Sequence, residues 1–104
     1  MDYKTHNDNI EWEGGSLQGY IEAPYEALKE AFGEPHDSDE YKSDAEWNVK
    51  FADGTYVTIY NWKNGKNYCG PSGTPKTQIT EWNVGGGAGQ HGIDLVLEVL
   101  RNLK

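Results

Sequence analysis

Cysteine, basic residues and long apolar runs are all scarce in this chain, and each scarcity excludes something. Cys69 is the one cysteine among 104 residues, so an intramolecular disulfide and a thiolate cluster for zinc are excluded, and a reducing compartment fits. No run approaches 18 apolar residues, so no segment reads as a spanning helix. Lys and Arg number 9 against 17 Asp and Glu, a formal net charge of -8, which is the wrong sign for a simple phosphate-backbone binder. The polar Met1–Asn9 segment has neither a basic n-region nor an apolar h-region, against a secretory signal. Residues 1–9 read as a flexible arm, and 10–104 as a single domain without repeats or low-complexity linkers. Aliphatic residues are few before the last dozen positions. In their place stand four Trp, seven Tyr and two Phe, enough buriable ring area to predict a folded, aromatic-rich core.

The hydrophobic period switches along the chain. Leu17 to Glu22 reads as a short strand. Pro24 suits a helix start and Gly33 a left-handed stop, which predicts a helix from Pro24 to Phe32 with Tyr25, Leu28 and Phe32 inward. Trp47, Val49 and Phe51 then alternate with polar residues, and Asp53-Gly54 separates them from a run ending in Trp62, a hairpin signal. Val57 and Ile59 fall on one face of that second run, with Tyr56, Tyr60 and Trp62 on the other. Lys63–Lys76 is a turn-rich connection, Ile79 to Val84 is a third strand of the sheet, and Ile93, Val96, Leu97, Leu100 and Leu103 have helical spacing. The expected class is α+β: about four antiparallel strands in β-α-β-β-β-α order, with the C-terminal helix packed on the sheet.

Ser16-Leu17-Gln18-Gly19-Tyr20-Ile21, Phe32-Gly33-Glu34-Pro35, Ala45-Glu46-Trp47, Asp53-Gly54-Thr55, Thr58-Ile59-Tyr60 with Trp62, and Trp82 with Gly85-Gly86 form an ordered set. As a set it resembles small, largely uncharacterised proteins of tailed bacteriophages, from about Ser16 to the final helix. Asn83 stands where that pattern has His, and Pro24 where it has Ser or Thr. The resemblance implies an accessory protein acting in the bacterial host cytoplasm, with inhibition of a host anti-phage defence component as its leading role. It carries no catalytic residues to transfer.

Three groups of residues are candidates for function. Gly87-Ala88-Gly89-Gln90-His91-Gly92 matches G-x-G-x-x-G after a strand and before a helix, but no parallel strand or acidic ribose ligand follows, so a dinucleotide fold is not expected. A looser site remains: the backbone of Gly85, Gly86 and Gly87, with Tyr60, Trp62 or Trp82 stacking and Asn83 reading polar edges, would sequester a small nucleotide or other anion. The competing reading places most of these rings in the core and the glycines in an ordinary turn. The third group is acidic. Glu34, Asp37, Asp39, Glu40 and Asp44 cluster in sequence and would meet the basic groove of a nucleic-acid-binding host protein; otherwise they form a solvated loop. His6, His36 and His91 have no metal-ligand spacing, and no nucleophile motif is present. The expectation is therefore a non-enzymatic protein, with no cofactor, metal, membrane or direct nucleic-acid partner, that inhibits a host protein through its acidic surface. Nucleotide sequestration and a structural virion role are the alternatives, and a spare aromatic sheet face leaves a homodimer open.

Overall fold

In a computed structural model that describes residues 2–11, 15–36, 45–62 and 69–103, the alternating runs around Asp53-Gly54 form a hairpin of β3 (Glu46–Phe51) and β4 (Tyr56–Tyr60). Its connection is longer than a two-residue turn. The Phe51 N–H donates to Thr55 O at 2.8 Å and the Gly54 N–H to Phe51 O at 2.9 Å; only Gly54 takes positive φ, at 93°. This is the geometry of a three-residue loop closed by a glycine bulge, so Asp53 needs no left-handed backbone. Its carboxylate instead accepts the Thr55 N–H at 2.9 Å.

The sheet has five described strands in the order β1-β3-β4-β5-β2, where β1 is Tyr3–Thr5, β2 is Ser16–Glu22 and β5 is Glu81–Gly86. Every neighbouring pair is antiparallel. With α1 (Tyr25–Phe32) and α2 (Gln90–Arg101), this is the expected α+β class. The expectation of about four strands and a flexible arm is corrected at the N-terminus, where Tyr3, Lys4 and Thr5 pair with Phe51, Lys50 and Val49. Tyr3 supplies the anchorage. Its ring packs against Phe32 and Phe51, with centroids 5.3 and 5.8 Å away, and its hydroxyl donates to Ala31 O at 2.7 Å. Thr5 and Asp8 then close a capping box around a short 3-10 turn, satisfying backbone donors that a loose arm would leave to water.

One face of the sheet lies under the helices. Register places Val49 beside Val57, Trp47 beside Ile59 and Ile59 beside Val84, and all of these are buried. The indoles of Trp47 and Trp82 meet edge to face at 5.2 Å, with Tyr25 tilted against both. Trp82 Nε1 donates to Ala23 O at 3.0 Å and Trp47 Nε1 to Gly33 O at 2.7 Å. These carbonyls flank α1, so the two indoles hold an eight-residue helix that is too short to be stable alone at both its ends. At α2 the fit is made by absence of side chain: a Cβ on Gly19 would lie 2.6 Å from Ile93 Cδ1, and one on Gly92 2.7 Å from Val57 Cγ1.

Candidate functional site

The opposite face carries neither α1 nor α2; Asn48 and Tyr56 on it are buried at the β3 side, where His6 and His36 reach Asn48, and it opens towards β5 and β2, where register sets out what it presents. Glu46, Tyr60, Asn83 and Tyr20 make one row across β3, β4, β5 and β2. In the next row Glu22 stands directly opposite Glu81. Tyr20 is 68% exposed and Leu17 46%. Tyr60 and Trp62 meet edge to face at 6.2 Å. Gly85 is buried on this face by its neighbours, and a Cβ there would lie 2.6 Å from Thr58 Oγ1 and 3.5 Å from the Tyr60 ring.

The edge of this sheet follows from one bond. The Ala23 N–H donates to Thr80 O at 2.8 Å, continuing the β2–β5 register beyond Glu22 and Glu81. Antiparallel pairs alternate, so Ile21 bonds inward to β5, while the N–H and C=O of Tyr20 and Glu22 point to the outer edge. Glu22 and Glu81 are thus a non-hydrogen-bonded pair, the closer of the two spacings for side chains. No described residue bonds the side chain of Tyr20, Glu22 or Glu81. At the other end of β2 a register slip at Gln18 lets its amide donate to Ser16 O and Gly86 O, both at 3.0 Å.

A second and larger set of carboxylates lies on the helical side. Glu26 and Glu30 on α1, Glu34 just past it, and Asp94 and Glu98 on α2 are exposed. Lys29 is 2.9 Å from Glu34, and that hydrogen bond raises its ammonium above the ordinary lysine range. Arg101 is the other cation on the two helices. Between the helices runs an open groove of about 530 Å³ with Ala27, Leu97 and Leu100 in its lining and Asp94 and Arg101 beside them.

The expected site residues separate into distinct surroundings. Glu34 is on the helical side; Asp37, Asp39, Glu40 and Asp44 lie outside the described residues. Tyr60, Asn83 and Gly85 share the open face with Trp62 close by. Trp82 does not join them: it is fully buried under the helices, on the other face from Asn83, so it cannot stack on a ligand there. Gly86 is buried with φ 138°, its Cα facing the Tyr56 backbone so closely that a Cβ would lie 2.5 Å from Tyr56 O. Gly87 lines a separate open hollow of about 520 Å³ with Gly15, Asp53, Gly54, Thr55, Tyr56 and Ala88. Asp53 makes that hollow a poor anion site. Its carboxyl is pulled down to about 2 by hydrogen bonds from His91 and Thr55, so a negative charge sits beside the N-terminus of α2. Of the residues expected at the nucleotide site, Tyr60, Trp62, Asn83 and Gly85 thus stay together, while Trp82, Gly86 and Gly87 lie elsewhere.

No protein-family model and no curated protein matches this chain.

A histidine cluster, missed in the sequence, holds the β1 edge. His6 Nε2 is 2.7 Å from Glu34 O and therefore donates, while His6 Nδ1 accepts the Asn48 N–H at 3.3 Å. Only the neutral Nε2–H tautomer satisfies both partners. Burial, with the neighbouring His36 adding to it, holds His6 below the ordinary histidine range. His36 lies 4.7 Å from the His6 ring, with Nε2 2.5 Å from Asn48 Oδ1 and 3.2 Å from Glu46 Oε2. Asn48 Nδ2 in turn donates to Glu46 Oε2 at 2.9 Å. His91 Nε2 is 2.8 Å from Asp53 Oδ2, tying α2 to the hairpin loop. Among the described residues no group of three His, Cys, Asp or Glu could hold a metal ion. The sequence signal for the cluster was faint: Thr5 and Asp8 at capping-box spacing mark the turn that carries His6.

Proposed function

We propose that this chain is a non-enzymatic bacteriophage accessory protein that binds and neutralises a host component, working in the host cytoplasm against a protein with a basic, nucleic-acid-binding surface. The observation that carries this reading is the charge of the helical side. Glu26, Glu30, Glu34, Asp94 and Glu98 are exposed there against Lys29, itself paired to Glu34, and Arg101. Asp37, Asp39, Glu40 and Asp44 follow Glu34 directly in the chain. A predominantly negative surface of this kind steers association with an oppositely charged partner and repels nucleic acid from the same surface.

Affinity capture from host lysate tests the reading. Two variants are compared with the parent chain, one with Glu34, Asp37, Asp39, Glu40 and Asp44 changed to Asn or Gln, the other with Glu26, Glu30, Asp94 and Glu98 so changed. The expected result is recovery of nucleic-acid-binding proteins that falls in at least one variant and declines as salt shortens the screening length from about 10 Å at 0.1 M to about 3 Å at 1 M. Equal recovery by all three chains, with no salt dependence, overturns it.

A further inference from the structure

We propose that the open sheet face takes up an arginine-bearing extended segment of the partner, added as a sixth strand on the outer edge of β2. This rests on the reading above that the partner is basic, and it names the chemistry that would recognise it. The two edges of the sheet differ: β1 has three residues, whereas β2 has seven, with neither Lys nor Pro among them. C-terminal to its bulge this edge has no such guard, and an edge without Lys or Pro is a template for strand addition. Gln18 closes its N-terminal end, leaving Gly19 to Glu22. Within that stretch the outward backbone groups belong to Tyr20 and Glu22, whose side chains also stand on the open face.

An added strand would place alternate side chains over that face, beside Tyr20 and the facing carboxylates of Glu22 and Glu81. Like charges directly opposite each other destabilise a sheet, and a cation between them removes the conflict. Guanidinium suits the place better than ammonium: its planar fork can bond two carboxylates and stack on an exposed ring, here Tyr20. A second copy of this chain would bring another Glu22 to the same edge, on a molecule of net charge -8, so charge complementarity selects the basic segment.

The test is a titration of the isotope-labelled full chain with an end-blocked hexapeptide alternating arginine and valine, read by amide NMR and hydrogen exchange. The expected result has the Tyr20 and Glu22 amides gaining protection and the largest shifts falling on β2 and β5. Affinity should drop at least tenfold in the double variant Glu22→Gln, Glu81→Gln and in Tyr20→Ala, whose thermal midpoints report that they fold. The same peptide with lysine for arginine should bind several-fold more weakly. Shifts confined to α1 and α2, or unchanged affinity in the folded double variant, overturn the proposal. So does a dimer whose Tyr20 and Glu22 amides are protected without peptide. If the peptide fails on the sheet while lysate capture still depends on the helical carboxylates, this inference falls and the broader reading stands.

Discussion

Replacing Gly92 by alanine should destabilise the protein, although the same change within a helix ordinarily does the reverse. Alanine gains at most about 1 kcal/mol over glycine in a helix interior, and less in a first turn. Against this, the new Cβ lies 2.7 Å from Val57 Cγ1 and 3.8 Å from Thr55 Cγ2. Val57 is 1% exposed and β-branched, so its methyl cannot swing aside as the end of a long side chain would. Forcing a methyl into a packed core costs typically about 1–3 kcal/mol, which exceeds the gain. The net expectation is a loss of about 1–2 kcal/mol, or roughly 4–15 °C in Tm for a domain of this size. Urea and thermal unfolding of Gly92→Ala, Val57→Ala and the double variant measure it. Removing the Val57 methyls makes room for the new Cβ, so the double variant should be more stable than the sum of the singles by about 0.5 kcal/mol or more. A Gly92→Ala protein as stable as the parent, or strict additivity, refutes the close-approach account of this glycine.

Three further expectations follow from the same geometry. Trp82→Phe deletes the indole N–H that bonds Ala23 O and leaves a void, and should cost about 2–4 kcal/mol in denaturant unfolding. His6 is held below its ordinary value of 6.5 by burial, so the unfolded chain takes up its proton first; stability from this group is complete at neutral pH and falls as pH drops from about 6.5 towards the lower folded value. In His6→Gln, urea midpoints should decline less steeply over that window. Asp53, lowered to about 2 chiefly by His91, stabilises the fold above its unfolded value of 3.8 and loses that contribution as pH falls towards 2. Acid unfolding of Asp53→Asn should lack this component.

The period-two runs around Asp53-Gly54 were legible because alternation and a turn signal agree, and the assignment of Val57 and Ile59 to one face with Tyr56 and Tyr60 to the other follows directly from that period. Which face would be covered is not encoded in a single strand. That is why Trp82 could be offered as a stacking residue: Trp82 and Asn83 are neighbours in sequence and on opposite sides of the sheet, and only the helix placement decides between them. Strand β1 was illegible because three residues carry almost no period; Tyr3 is fixed by Phe32 and Phe51, far away in the chain. The histidine cluster was hidden for the same reason, since His6, His36 and Asn48 meet only through pairing of the edge strand. Glu22 and Glu81, 59 positions apart, read singly as ordinary surface charges, and they acquire meaning only from the β2–β5 register.

The most direct test of the binding account is displacement. A labelled nucleic acid is first loaded on the host protein captured by the chain, and its fluorescence anisotropy is followed as the chain is added. The account predicts release of the nucleic acid by the parent chain and no release by the carboxylate-neutralised variants at equal concentration. A stable ternary complex, with the nucleic acid still bound while the chain is also bound, would contradict it.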